Sequence, residues 1–170
     1  ELISHHPSIW SALYRKSFLD EYGIRFKPIP GAGWADNPFL IEPMLQTRGI
    51  VYLDKAYYCY RADTRDKEKA FSQRNPQIPF ERWDEMTDII ERLGITDKRI
   101  LEAHYNRGIM YMSGVIMHND PDSPEMQALL KLMFDRMDPE LVFASSKISP
   151  GVKKLYAKTR GIKGAKTHPV

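Results

Sequence analysis

The stretch Pro30-Gly31-Ala32-Gly33-Trp34-Ala35-Asp36-Asn37-Pro38-Phe39 carries most of the chemistry this chain offers, because a glycine-rich loop delivers a carboxylate and an indole to the start of a helix. Loops of that kind border clefts and carry function out of proportion to their length. Two roles for Asp36 compete. As a helix N-cap, its side chain accepts from orphan backbone N–H groups, with Pro38 in the first turn where no donor is missed. As a general base, it is aimed out of the loop at a substrate hydroxyl, with Trp34 as a platform for a sugar ring or an apolar ligand face. A helix N-terminus keeps a carboxylate ionised but lowers its basicity, so a purely capping geometry opposes base catalysis.

The other reactive side chains fall into no recognised pattern. The sequence has no GxGxxG, Walker loop, His-Glu-x-x-His or Gly-x-Ser-x-Gly, and its single cysteine, Cys59, excludes an internal disulfide framework and a Cys-rich zinc site. His5 and His6 precede a proline, and neighbours in an extended segment point to opposite sides, which opposes a shared metal. Cys59 with His104 or His118 as nucleophile and base is equally weak, since Cys59 lies inside an apolar, strand-like run and reads as a buried thiol. Asp120-Pro121-Asp122 falls between two helical stretches, where turn and cap chemistry account for it.

These residues sit in a chain of 170, enough for one domain or part of a larger one, with 42% hydrophobic and 11% aromatic residues in globular proportion. No apolar run approaches the roughly 18 to 20 residues that span a bilayer, and no export signal opens the chain. Together with the lone cysteine this makes the cytoplasm the expected compartment. The first residue is Glu1 rather than Met, so an upstream segment removed from the chain is expected. Charge is unevenly spread: residues 1–140 hold all 22 acidic residues, while the last thirty carry seven basic ones and no acid. A basic tail on a mildly acidic body is no argument for nucleic acid. Lys153, Lys154, Lys158 and Arg160 suit either contact with an anionic membrane surface or plain solvation.

Along the chain, Ser8 to Tyr14 is apolar enough for a buried strand, Arg15 to Tyr22 is a short helix stopped by Gly23, and Ile24-Arg25-Phe26 alternates like a strand. A helix from about Asn37 to Thr47 ends at Gly49. Ile50-Val51-Tyr52-Leu53 and Ala56-Tyr57-Tyr58-Cys59-Tyr60-Arg61 read as two strands around an Asp54-Lys55 turn. A charged run from Asp63 to Lys69 marks a crossing. Beyond it the period is helical: Phe80, Trp83, Met86 or Thr87, Ile90 and Leu93, then Lys98 to His118, then a helix started by Asp122-Ser123-Pro124-Glu125, and a fourth begun by Ser149-Pro150. The expected architecture is α/β with few strands over residues 1–72, followed by a small α-helical bundle with a basic tail over 73–170.

Four segments in register carry a family likeness. Ser8-Ile9-Trp10-Ser11-Ala12-Leu13-Tyr14-Arg15-Lys16-Ser17-Phe18-Leu19, Gly23-Ile24-Arg25-Phe26, Trp34-Ala35-Asp36-Asn37-Pro38-Phe39 and Val51 to Arg61 together resemble the second, acceptor-side half of a bacterial family 2 glycosyltransferase with a GT-A fold, over about residues 7–72. The resemblance implies an inverting transfer of sugar from a nucleotide-sugar donor to an acceptor hydroxyl, in surface polysaccharide or glycoconjugate synthesis. It makes Asp36 the catalytic base, places Trp34 and Asn37 at the acceptor, and sets Tyr60 and Arg61 near the donor diphosphate. Family members usually show Glu-Asp where this chain has Ala35-Asp36.

The family's first half, with the Asp-x-Asp that holds a divalent Mn or Mg on the diphosphate, has no counterpart among these residues. The resemblance therefore implies a chain with no cofactor of its own, inactive alone. Its expected partners are the nucleotide sugar and a sugar or lipid-linked acceptor, a membrane surface met through the tail, and a second copy of the chain. The rival reading is a non-catalytic protein-interaction domain on a degenerate transferase scaffold.

Overall fold

Serine or aspartate followed by proline opens three successive helices, and each opening is built as the residue types require. The computed structural model describes residues 3, 8–29, 33–59 and 75–163. Among them run a 3-10 turn (Ile9–Ser11) and seven α-helices: α1 (Lys16–Glu21), α2 (Asp36–Gln46), α3 (Ile78–Arg92), α4 (Lys98–Ile116), α5 (Pro124–Asp135), α6 (Pro139–Ala144) and α7 (Pro150–Arg160). The Ser123, Asp138 and Ser149 side chains accept from the backbone N–H of Met126, Glu140 and Val152, with proline at the next position where no donor is lost. Asp97 caps α4 in the same way, through Arg99 N–H at 2.9 Å. α3 ends at Gly94, whose φ of 64° is the left-handed turn that glycine adopts without strain.

The apolar stripes of α3, α4 and α5 meet with α6 and α7 in one core holding Phe80, Trp83, Tyr105, Met112, Leu130 and Phe134. Tyr156 of α7 is fully buried in it and donates to the Met137 carbonyl at 2.8 Å. Polar ties reinforce the packing. Arg136, just past α5, reaches Asp84, Asp88 and Glu91 of α3 at 2.6 to 2.7 Å. That spacing puts all three carboxylates on one face of α3, and together they raise the guanidinium pKa despite its partial burial.

α2 is apolar on two sides and is accordingly buried on both. One side joins Ile41 to Met86 and Ile90 of α3, closed at its edge by Arg92 donating to Glu42 at 2.6 Å. The other sets Phe39 and Leu40 against Ile24, with Tyr14, Phe18, Leu19 and Tyr22 around them. Phe26, half exposed, stacks on Phe39 at 3.9 Å. α2 thus shares a core with the bundle that begins at α3 and another with the residues before it.

The α/β expectation for the first part is overturned: no strand occurs among the described residues. Ser8 to Tyr14 is a turn followed by irregular backbone, with Leu13 fully exposed, and neither it nor Ile24 to Phe26 forms a strand. Residues 50–59 are all exposed and form no strand. The physical reason is that β-propensity describes a fit to a pleated, half-buried surface and creates no strand unless a neighbour supplies the other half of the ladder. Cys59 is exposed rather than buried, which corrects its reading as a core thiol. Tyr60, Arg61 and the charged run after them lie outside the described residues.

Candidate functional site

Trp34 is the one described residue other than glycine with positive φ, at 57°. Such a backbone costs of order 1 kcal/mol or more in a bulky residue and persists where its surroundings fix it. Here the turn Gly33 to Ala35 leads straight into α2, and Trp34 O accepts from both Asn37 N (3.1 Å) and Asn37 Nδ2 (3.3 Å). Asn37, buried in the first turn of α2, in turn accepts the Tyr111 hydroxyl of α4 at 2.8 Å through Oδ1. The indole stands edge-on to the Tyr111 ring, centroids 4.9 Å apart and planes at 73°. That arrangement matches the quadrupole preference of aromatic pairs. Burial pushes the Tyr111 phenol up to about 12, so it stays a donor at neutral pH.

Asp36 occupies the first position of α2, and the N-cap is Ala35, which has no side-chain acceptor. The capping role is therefore not the one Asp36 fills. Its carboxylate is half-buried and its Oδ1 accepts weakly from Asn37 Nδ2 at 3.5 Å.

Trp34 and Tyr111 form part of the wall of a cleft of about 220 Å³, completed by Pro79, Met110, Gly114, Val115, His118 and Asn119. Drug-sized pockets begin near 300 Å³, so this one suits a single ring rather than an extended ligand. Arg107, Tyr111, Gly114 and His118 follow a spacing of four, three and four along and just beyond α4, which puts them on one side. The Arg107 guanidinium is buried, and its Nη1 has no hydrogen-bond partner. Burial pulls its pKa down, while the Tyr111 and Asp36 oxygens, within electrostatic reach, push it back.

Of the residues expected from sequence, Trp34, Asp36 and Asn37 come together, and Tyr60 and Arg61 fall outside the described residues, as do His5 and His6. Tyr111 and His118 as cleft residues are not legible in the sequence. The available signal was the pair Gly108 and Gly114 inside a helix, each unfavourable by about 1 kcal/mol and so a mark of close approach or an opening. A Cβ on Gly108 would lie 2.5 Å from Trp83 Nε1, whereas one on Gly114 meets nothing within 4 Å. The Cys59–His104 pairing is excluded, since Cys59 is exposed and His104 is fully buried, stacked on Trp83 at 4.6 Å.

Asp120 and Asp122 do turn chemistry: Asp120 Oδ1 accepts Asp122 N–H at 3.0 Å, and Asp122 pairs with Lys158. Among the described residues no three His, Cys, Asp or Glu side chains are grouped to hold a metal, so the Mn or Mg implied by the resemblance finds no ligand set in them. Three of the four cations of α7 face protein acceptors: Lys153 the Phe143 carbonyl, Lys158 Asp122, and Arg160 the Phe134 carbonyl and Asp135. No helix among the described residues is long and apolar enough to cross a membrane. Comparison with protein-family models, with curated proteins and with solved structures gave no match to this chain.

Proposed function

We propose that this chain is the acceptor-side part of a bacterial family 2-like glycosyltransferase, with Asp36 as the base that takes the proton of an acceptor hydroxyl. The observation that carries this reading is local: Asp36, free of capping duty, sits beside a Trp34 held in left-handed backbone at the wall of a single-ring cleft. An aromatic wall with a carboxylate two residues along the same turn is a pairing that hydroxyl activation on a sugar would use. Asn37 serves the acceptor side by holding Trp34 and Tyr111 in place. Among the described residues no His, Cys, Asp or Glu side chains are grouped to hold a metal on a leaving diphosphate, so on this reading the donor and its metal are bound by residues outside them, Tyr60 and Arg61 among those to be tried. Surface polysaccharide or glycoconjugate synthesis, at the inner face of the membrane, is the setting this chemistry fits.

The test is to titrate the protein with methyl glucoside and other neutral hexosides while following the indole N–H resonances by NMR. Trp34 is expected to shift and saturate while the buried Trp83 stays still. With a nucleotide sugar added, no transfer product should form from this chain alone. If no sugar moves Trp34, the reading fails; transfer by the isolated chain overturns its dependence on a separate donor half.

One observation favours a second reading, a protein-interaction domain. Ile50, Val51, Tyr52, Leu53, Tyr57 and Tyr58 form an exposed apolar run, and patches of that kind on soluble proteins commonly mark interaction sites. Replacing Val51 and Leu53 by serine separates the readings: a loss of complex formation with sugar binding intact supports interaction.

A further inference from the structure

The run Ile50-Val51-Tyr52-Leu53-Asp54-Lys55-Ala56-Tyr57-Tyr58-Cys59 places one acid and one base side by side at its centre, with uncharged residues on both flanks. Every residue in it is exposed, Val51 at 86% and Tyr52 at 82%. Its backbone groups bond to no other backbone group among the described residues. Tyr58 anchors the run to the body of the protein, stacking on Trp10 of the 3-10 turn with ring centroids 5.9 Å apart. The two charges form no ion pair among the described residues: Asp54 accepts weakly from the Tyr52 hydroxyl at 3.5 Å, and Lys55 lies over the Tyr57 ring. β-branched and aromatic side chains on unused backbone donors and acceptors make a template for pairing with another chain.

The order of the charges selects that chain. When two copies of the run lie antiparallel with Asp54 of each opposite Lys55 of the other, Leu53 falls opposite Ala56, Tyr52 opposite Tyr57, and Val51 opposite Tyr58. Opposite charges, aromatic pairs and aromatic–β-branched pairs are the favourable cross-strand combinations. An antiparallel slip of one residue in either direction sets Asp54 on Asp54 or Lys55 on Lys55, and parallel pairing in register does both. Like charges directly opposite are destabilising, so charge complementarity favours one register with a second copy. The same pairs within one chain would need Asp54-Lys55 as a two-residue hairpin loop. Such loops take positive φ, which neither residue has.

We infer that residues 50–59 are a self-recognition surface through which two copies of this chain join about a twofold axis, each run supplying the ladder partner that the other lacks. The inference rests on the protein-interaction reading of this run and names the partner. Each chain's own fold stays helical, and the bend at Lys55 straightens as the ladder forms. A two-stranded ribbon is marginal in water, so the association should be reversible and dependent on concentration.

The experiment is sedimentation of the full chain in reducing buffer, from micromolar to millimolar concentration, with the parent expected to pass from monomer to dimer. Asp54→Lys and Lys55→Asp should each weaken association at least about tenfold, since each sets like charges opposite one another twice. An equimolar mixture of the two variants should dimerise as the parent does, and so should the variant carrying both substitutions. All these positions are exposed, so melting temperatures should not change. With a nitroxide on Cys59, the only cysteine, the two labels should lie roughly 30 Å apart, at about 3.4 Å per residue along the ladder. A monomer at every concentration overturns the self-pairing alone and leaves the interaction reading to a different partner. A dimer that survives Val51→Ser with Leu53→Ser removes this run as an interface, and both readings with it. Open-ended aggregates, or a mixture that associates no better than the single variants, overturn the twofold register.

Discussion

The Tyr111 hydroxyl donates to Asn37 Oδ1 at 2.8 Å, tying the first turn of α2 to the middle of α4 across 74 residues of sequence. The bond fixes the partner against which Trp34 packs edge-on, so its loss acts on the cleft as well as on stability. Tyr111→Phe is expected to cost about 1 to 2 kcal/mol, the range for removing one partner of a buried hydrogen bond. Sugar-induced shifts at Trp34 should weaken in parallel. A double-mutant cycle with Asn37→Ala reads the coupling, and additive single effects would show that the two residues act independently.

Asp36→Asn tests the proposed base role of Asp36 against a structural one. Since Ala35 holds the cap position, the substitution should leave the unfolding free energy from urea titration within about 0.5 kcal/mol of the parent, whereas Ser123→Ala or Asp138→Ala, which remove real caps, should each cost about 1 kcal/mol. Sugar binding should persist. In an enzyme completed by its donor-binding half, turnover should fall by about 10² to 10⁴, the range for general base catalysis. A stability loss comparable to the cap variants, with turnover intact, would return Asp36 to a structural role.

His104 predicts the direction of pH dependence. Thr87 Oγ1 donates to the Trp83 carbonyl at 3.0 Å, so His104 Nε2, 2.8 Å from that oxygen, must be the donor, and the ring is neutral. Burial first, then the charges of Arg107 and Arg136, lower its pKa from 6.5 to about 3. Between those values the unfolded chain binds the extra proton. The contribution is fully present above pH 6.5 and is lost as pH falls toward 3, with a slope of at most about 1.4 kcal/mol per pH unit. Unfolding in urea at pH 7.5, 6.0 and 5.0 measures it. His104→Gln should flatten the slope in that range, and an unchanged slope would assign it to other groups.

Gly108→Ala tests the contact between α3 and α4. An added methyl would lie 2.5 Å from Trp83 Nε1 and 2.8 Å from Cε2, against an indole that is itself fully buried and donates to the His104 carbonyl at 3.0 Å. The usual gain from replacing a helical glycine should be reversed into a loss of about 1 to 3 kcal/mol, as for an overpacked core. Gly114→Ala, in open space on the same helix, should stabilise by about 0.5 to 1 kcal/mol. A stabilised Gly108→Ala would mean that α3 and α4 separate easily.

The helices of the bundle were legible because two independent signals agree in them, a period near 3.6 and a Ser-Pro or similar start. Ser123-Pro124 and Ser149-Pro150 begin α5 and α7 as the residue types dictate. α6 escaped notice because Pro139 to Ala144 is too short for a period to show, although Asp138-Pro139 gives the same opening. The strands expected at Ile50 to Leu53 failed for a different reason: a run of β-branched and aromatic residues states a preference, while a strand also needs a partner. In the site, Trp34, Asp36 and Asn37 stood out because they share one loop. Tyr111 did not, since a tyrosine in mid-helix looks like an ordinary residue at the boundary between core and solvent.

The exposed run from Ile50 to Cys59 also bears on how the chain tolerates being cut. Tyr52, Leu53, Tyr57 and Tyr58 offer chymotrypsin-type proteases accessible sites, while Trp83, Phe80, Phe134 and Tyr156 are shut inside the bundle. A nick there would sever the covalent path between α2 and α3. It would leave untouched the ties between the two pieces, among them Ile41 on Met86 and Ile90, Glu42 on Arg92, and Asn37 on Tyr111. The two pieces would then behave as subunits of a noncovalent complex, with the cleft spanning the joint between them.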